Sequence, residues 1–342
     1  MEETLENAEL SEFDLALIHA IQISPRASWQ RLAEALDVAP STLSRRWARL
    51  AATRRAWVAT APGRNHLEVG ASAFLLLRVD PAHQAAVTEA LCAEPATGTV
   101  ERVAGSHDFL VDCFAPTRDD LTRFLTGPGT TLPGVTGRDI LFTTRMHRDG
   151  SAWRAGALAP GPAGRLGEGQ SGHPVPTVRD AVDVALIEAL GADGRASWSE
   201  LGAVCGLAPQ TARRRTESLL AAGVFSLRCE AATAVRQGRR AVTLLLDVPP
   251  EQLDALGRWF GDRPDCRVSA EVLGIGNLLV SLWVPHLAQL HDIEREAAAL
   301  APGVRVVGRE VELASVKRVG HRLDAAGRRM GRVPVPLVRA RA

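Results

Sequence analysis

Leu10, Phe13, Leu17, Ile18 and Ile21 recur at the spacing of one helical face. The pattern breaks at Pro25-Arg26-Ala27, and Ser28 is placed to cap a second helix carrying Trp29, Leu32, Ala33 and Leu36 on one side. Asp37-Val38-Ala39 makes a turn, and Pro40 suits the first position of a third helix. That helix sets Leu43, Trp47 and Leu50 inward at i, i+4 and i+7, with Arg45, Arg46 and Arg49 on its other faces. "AWVAT" follows as a short strand. Three short helices, a tight turn before the basic third one and a closing strand make a winged helix-turn-helix pattern. Beyond residue 70 the pattern changes. "AFLLLRV", "TGTVERVAG", "DFLVDCFAP" and "VTGRDILFTTRM" read as strands, with helices at "PAHQAAVTEALCA" and "RDDLTRFLTG". The order β-α-β-β-α-β is the ferredoxin-like arrangement.

The whole pattern then occurs a second time, shifted by 169 residues. "RASWQRLAEALDVAPSTLSRR" from Arg26 returns as "RASWSELGAVCGLAPQTARRR" from Arg195, and 16 of the 37 positions from Asp14 to Leu50 match Asp183 to Leu219 without a gap. The register persists into the strands, where Leu75-Leu76-Leu77 meets Leu244-Leu245-Leu246, Gly105 meets Gly274 and Pro133-Gly134-Val135 meets Pro302-Gly303-Val304. Solenoid repeats run about 20–50 residues, so this is a duplicated pair of domains. The expected class is α+β, with two repeats of a winged helix-turn-helix followed by a ferredoxin-like βαββαβ domain. Helix-turn-helix domains fall at residues 10–62 and 179–235, and ferredoxin-like domains at 70–150 and 240–320. Residues 154–176, rich in Gly, Pro and Ala without periodicity, read as a flexible linker. Residues 321–342 read as a basic, partly mobile tail. The gapless repeat further predicts that the two ferredoxin-like sheets form a pseudo-two-fold pair within one chain.

Composition adds little until it is made local. The chain has 342 residues, 46% of them hydrophobic, and a net charge of +1, enough apolar material for packed cores. Residues 26–64 carry eight Arg against Glu34 and Asp37, and residues 195–240 carry eight Arg against Glu200, Glu217 and Glu230. Basic charge is thus concentrated at the same place in each copy. The five cysteines are scattered and include no C-x-x-C pair, which argues against a disulfide framework or zinc site and fits a cytoplasmic setting. The acidic start has no apolar core of a signal peptide, and no run approaches the length of a membrane span. No cofactor or metal is expected. His286 and His291 lack zinc spacing.

The order of "LAEALDVAPSTLSRRWARL" before "VAGSHDFLVDCF" and "LPGV", matched by "LGAVCGLAPQTARRRTESLLAAGVF", "VLGIGNLLVSLW" and "APGV", resembles the leucine-responsive regulator/AsnC family of transcription regulators. The resemblance covers residues 10–150 and 179–320 and is that of a tandem fusion of two family units. It implies double-stranded DNA as partner, an amino-acid-like effector, homo-oligomeric assembly and no enzymatic activity. One branch of the family, the siroheme decarboxylases, uses paired units for catalysis. Its marks are histidines and a tyrosine-containing motif. This chain has no tyrosine, and "RNHLEVG" matches that motif poorly.

The candidate DNA residues are Ser41, Thr42, Ser44, Arg45, Arg46 and Arg49 in copy one and Gln210, Thr211, Arg213, Arg214 and Arg215 in copy two. Guanidinium groups bind phosphate oxygens and pair with guanine edges, and residues at the start of such a helix meet the groove. The alternatives are a merely solvated face and, for Arg46 and Arg215, an ion pair inside the module. Ser41, Leu43 and Ser44 become Gln210, Ala212 and Arg213, so the two helices are expected to read different bases. Ala39 and Ala208 stand where the family carries a capping Ser or Thr, a loss on the order of 1 kcal/mol. For an effector, Gly105, Ser106, His107, Asp108 and Gly134 form two turns, matched by Gly274, Gly276, Asn277 and Gly303. Glycine admits a ligand carboxylate to backbone amides, and Asp108 offers a partner to an ammonium group. The alternative is that these glycines only turn the chain. Asn277 in place of Asp108 removes that partner from copy two.

Overall fold

A computed structural model describes residues 10–167, 180–236 and 238–340. The first unit opens with helices α1 (Glu12–Ile23), α2 (Trp29–Leu36) and α3 (Pro40–Ala52), followed by strand β1 (Ala56–Pro62). A short α4 (His66–Val69) leads into β2 (Ala71–Val79), α5 (Gln84–Ala93), β3 (Thr97–Ala104), β4 (Phe109–Ala115), α6 (Arg118–Leu125) and the long β5 (Val135–Arg148). After α7 (Pro160–Gly167) the second unit repeats the series. It runs α8 (Ala181–Ala192), α9 (Trp198–Cys205), α10 (Pro209–Ala221), β6 (Phe225–Ala231), β7 (Arg240–Asp247), α11 (Pro250–Asp262), β8 (Cys266–Leu273), β9 (Leu278–Val284), α12 (Gln289–Leu300) and β10 (Arg305–Arg318). Two short strands, β11 (His321–Leu323) and β12 (Arg329–Arg332), finish the chain.

The two units share both of their layers. The first half of β5 pairs with β2 of its own unit, and its second half, from Phe142, crosses to β8 of the other. β10 mirrors this, pairing with β7 up to Val311 and with β3 from there onward. The eight strands β10-β3-β4-β2-β5-β8-β9-β7 therefore close on themselves as an antiparallel barrel. Closure leaves no free edge along the joined sheets. The helices pack outside, with Val87, Leu91, Leu121 and Phe124 covering one sheet and Leu256, Phe260, Leu290 and Ile293 the other. Inside the barrel, Phe74, Leu76, Val103, Leu110, Leu141, Leu245, Val272 and Leu279 form an apolar plug.

The helix-turn-helix units are fused as closely. β1 pairs antiparallel with β6 along seven residues, and one continuous core holds Leu17, Ile18, Leu43 and Trp47 together with Leu186, Leu190, Ala212 and Phe225. The repeated words "RASW" make the join. Arg26 lies 3.8 Å over the Trp198 ring and donates to the carbonyls of Gly194 and Ala196 at 3.0 and 2.6 Å. Arg195 lies 4.1 Å over Trp29 and donates to the carbonyls of Pro25 and Ala27 at 2.7 and 3.0 Å. Each guanidinium donates to two carbonyls of the other copy.

Two expectations are corrected. The stretch 154–176 is not simply a flexible linker, because its first half is a strap over the first unit. Trp153, Ala155 and Leu166 are buried, the Ala155 amide donates to Gln22 at 2.8 Å, and the Leu158 amide donates to the His19 imidazole at 2.8 Å. Arg165 donates to the Ala35 carbonyl at 3.2 Å. Its remainder, residues 168–176, lies outside the described residues. The tail is likewise built in over most of its length. β11 and β12 extend the sheet beyond β10, Leu337 and Val338 are buried, and Arg339 donates to both oxygens of Asp120 at 3.0 Å. Ala342 and Arg341 lie outside the described residues. Composition misled in both places because a few apolar anchors suffice to fix a Gly- and Pro-rich segment.

Candidate nucleic-acid interface

The third helix of each unit is presented outward by its own hydrophobic stripe. In α3, Leu43, Trp47 and Leu50 are buried, leaving Ser41, Arg45 and Arg49 exposed and Thr42 and Ser44 half-buried. In α10, Ala212, Thr216 and Leu219 are buried, leaving Gln210, Arg213 and Arg214 exposed and Thr211 half-buried. Leu43 and Ala212 are therefore core positions and drop out of the expected base-reading set. Both helices begin at proline with Ala39 or Ala208 before it, and neither has a side-chain cap.

Two of the predicted arginines are committed inward. Arg46 donates from Nε to Asp14 at 2.5 Å and from Nη2 to Asp14 and Ser11 at 2.8 and 2.9 Å. Arg215 donates to both oxygens of Asp180 at 2.9 Å and to Asp183 at 2.8 Å. Burial alone would raise the Asp14 carboxyl, but the hydrogen bonds from Arg46 and Ser11 hold it below its ordinary value. These pairs tie the third helix to the first in each unit, which is the alternative the sequence left open for them. Arg213 is engaged by Glu217 at 2.8 Å, an exposed pair one helical turn apart that holds it only weakly.

The predicted effector turns are occupied by the fold itself. Asp108 accepts from the Val79 amide at 2.7 Å and from Gln84 at 3.2 Å. Asn277 does the same work in copy two, accepting from the Val248 amide at 2.8 Å and donating to its carbonyl at 2.7 Å. Asp108 is thus an anchor of the neighbouring strand end, not a free partner for an ammonium group. His107 is buried between Glu310 at 2.7 Å and Asp139 at 2.8 Å, and Arg78 reaches the same Asp139 carboxylate at 3.1 Å. Gly105 and Ser106 are exposed beside it, and a side chain at Gly105 would strike the Arg309 carbonyl and Glu310. Gly134 and Gly303 sit at φ of 88° and 95°, the left-handed region that favours glycine. Gly274 and Gly276 press against Ile140 and Leu246 backbone respectively. The five glycines serve turns or close packing.

What the sequence reading missed lies at the end of the barrel facing the helix-turn-helix units. Four arginines and four carboxyls meet there, Glu230, Arg236, Arg267 and Arg318 buried and the others half-buried. Glu230 is held by Arg267 at 2.7 Å, by Arg318 at 3.5 Å and by Arg228. Arg236 grips Glu312 through two bonds of 2.8 Å. Trp283 lies against Arg267 and Arg236 at 4.3 and 4.5 Å. Burial pushes the Glu230 carboxyl up, yet its three arginines bring it down to about 2. Glu101 moves the other way, pushed well above the carboxylate range by burial and by the neighbouring Glu312 and Asp112. Asp112 is raised to about 6, chiefly by burial. The only local signal is that Arg228 and Glu230, spaced i, i+2, share one face of β6.

A third cluster, His147 with Asp254 and Glu271, brings ligand atoms within 4.8 Å of one another. Arg145 already bonds Asp254 at 2.6 Å and stands 3.6 Å from Glu271, so these carboxylates have a cation. Among the described residues no helix is long and apolar enough to cross a membrane.

The AsnC-type helix-turn-helix domain matches this sequence twice, at residues 10–51 and 180–220. The chain thus carries two matches to the AsnC-type helix-turn-helix domain, one in each unit. It is similar to an uncharacterized HTH-type transcriptional regulator of Pyrococcus abyssi (strain GE5 / Orsay), with 25% identity over 143 residues, 42% of this chain and 90% of the relative. The siroheme decarboxylase NirDL has a similar fold, with a TM-score of 0.54 and 12% identity, covering 90% of this chain and 93% of that one. NirDL in co-complex with an iron-uroporphyrin III analogue gives a TM-score of 0.55 over the same shares. At that identity the NirDL matches speak to fold alone. Two matches to the AsnC-type helix-turn-helix domain and a regulator relative support a DNA-binding transcription regulator.

Proposed function

We propose that the protein reads a specific DNA site with two unlike recognition helices, is governed by a small effector and carries no catalytic activity. The observation that carries this reading is the pair of outward-facing third helices, each fixed to its unit by an inward arginine and each showing two further arginines to solvent. Gln210 suits adenine and Arg213 suits guanine, where copy one has Ala-like small hydroxyl residues Ser41 and Ser44 that discriminate poorly. A homodimer of single units presents two identical helices and prefers a palindrome. This chain presents two different ones, so its preferred site has unlike halves about one helical turn apart. Selection of sites from random DNA tests this. Recovery of a palindrome with identical halves by single chains would overturn it.

An amino-acid-sized effector has room in a groove of about 500 Å³ between the tail and the first ferredoxin-like domain. Phe114, Phe124, Pro116, Pro336 and Val338 line it, with Arg123 and Arg339 at its side. Assembly of chains into larger oligomers is supported by Phe142 and Leu273, ladder partners that are 42% and 63% exposed.

The fold shared with NirDL supports a second reading, decarboxylation of a tetrapyrrole. Against it, the barrel interior is filled by its apolar plug and by the arginine–carboxyl network, leaving a cavity of about 30 Å³, room for one or two waters. Titration with iron-uroporphyrin III, followed by absorbance, decides between the two. The regulator reading expects no saturable spectral change.

A further inference from the structure

The cavity at the head of the barrel is lined by Arg228, Arg267 and Arg318, by the carboxyls of Glu101 and Asp112, and by the hydroxyls of Thr99, Thr243 and Ser281. Its polar inventory is not closed. Arg318 is 1% exposed, and its Nη2 has no acceptor; neither has Nε of Arg236 close by. Ser315, opposite Glu101 in the ladder, also has a buried hydroxyl without a partner. Buried donors in native proteins are almost always satisfied by protein, water or ligand. Charge points the same way. Glu230 and Glu312 are each consumed by arginines, and the carboxyls left to balance the other guanidinium groups are Glu101 and Asp112. Glu101 is buried beside Glu312 and Asp112, and its protonation leaves the four guanidinium groups facing three carboxylates, an excess of positive charge. Unbalanced buried charge is costly, so an occupant that supplies the missing negative charge is favoured.

We propose that this cavity is a binding site for a small monovalent anion, of the size of chloride or formate, held by Arg318 with Arg228 and Arg267. Its volume of about 30 Å³ excludes an amino acid. The groups facing the site come from both bodies of the molecule. Arg228 and Glu230 lie on β6 of the helix-turn-helix body and Arg236 in the turn after it, while Glu101, Asp112, Arg267, Glu312 and Arg318 belong to the barrel. An occupant therefore bridges the DNA-binding layer and the barrel. That last consequence rests on the regulatory reading; occupancy itself does not, and it is measured without DNA.

Binding is coupled to protons, because ionised Glu101 competes with the anion for the same arginines. The other titratable neighbours are Asp112, on the same wall, and His321, whose imidazole burial holds at about 4 and hence neutral. The test is thermal unfolding of the full chain in sodium chloride, sodium formate or sodium gluconate at equal ionic strength, with gluconate too large to enter. We expect a saturable rise in Tm with chloride and formate over gluconate at pH 6.5. Affinity should fall by about tenfold per pH unit once Glu101 ionises. Glu101→Gln should keep saturable binding at pH 9, where the parent protein has lost most of it, and Arg318→Met should abolish it. Equal Tm in all three salts for the parent protein would mean that the cavity holds water only, and overturn the proposal. So would a Glu101→Gln protein as pH-sensitive as the parent, which folds without depending on the Arg318 substitution.

Discussion

The two copies agree where they face each other and differ where they face outward. Arg26 and Arg195 make the same clasp in opposite directions, each over the other copy's tryptophan. Arg46 and Arg215 make the same inward pair, and Asp108 and Asn277 make the same amide bond to a strand end despite their different chemistry. On the exposed face of the third helix, Ser44 and Arg49 stand opposite Arg213 and Ser218, and only one of the two helices carries an internal Arg–Glu pair. The strap and the tail cover the first unit's flank, and His107 has no counterpart, since Gly276 takes its place. A joined pair of units must keep the contacts that make it one body, while the outward faces carry no such constraint.

The clasp offers the largest way to break this agreement. Replacing Arg26 or Arg195 by Ala removes two charged hydrogen bonds and a cation–π contact, and should cost about 2–4 kcal/mol in urea unfolding. The two sites are neighbours, so the double variant should not be the sum of the singles. A loss below about 1 kcal/mol would mean that the shared core alone joins the units.

The outward difference is sharpened by salt dependence. Arg45→Ala with Arg49→Ala, and separately Arg213→Ala with Arg214→Ala, should each lower the slope of log affinity against log salt by about 1.8 on duplex DNA. Both pairs should weaken binding while leaving Tm unchanged, since none of these side chains is buried. A slope unchanged by one pair would show that only the other helix meets the phosphates.

His107 gives a smaller effect with a definite sign. Burial alone would lower its pKa, but hydrogen bonds to Glu310 and Asp139 outweigh burial and raise it above 6.5. The protonated imidazole thus stabilises the fold fully below about pH 6.5, and that contribution is lost as pH rises through the raised value. Asp139 is held below 3.8 by the same contacts against the pull of burial, so its contribution is lost only in acid. Tm should decline between neutral and mildly alkaline pH, and His107→Gln should flatten the decline. The smallest change restores what both copies lack. Ala39→Ser and Ala208→Ser should each add up to about 1 kcal/mol by capping α3 and α10, read as a rise in Tm.

Much of this was legible in the chain because its signals are local. The stripes Leu43-Trp47-Leu50 and Ala212-Thr216-Leu219 place the third helices, and the 169-residue shift makes every assignment twice. The inward pairing of Arg46 was visible only as an alternative, because Asp14 lies 32 residues away and spacing does not choose between an ion pair and a free cation. The barrel network was not legible. Its eight charged groups come from six separate segments, and only closure of β5 and β10 onto the opposite unit brings them together. The strap failed for a different reason. Trp153, Ala155 and Leu166 are too few to give a period, yet each fills a place in a core built by other segments.

The crossing strands also decide how the protein responds to its own abundance. Separate subunits that meet through β5 and β10 would have to find each other before two helices could engage one site, and their occupancy of DNA would rise with the square of a scarce subunit's concentration. Here the partner is always present on the same chain. Occupancy by a single chain should follow a simple hyperbola down to a few molecules per cell, with no threshold set by dimer dissociation.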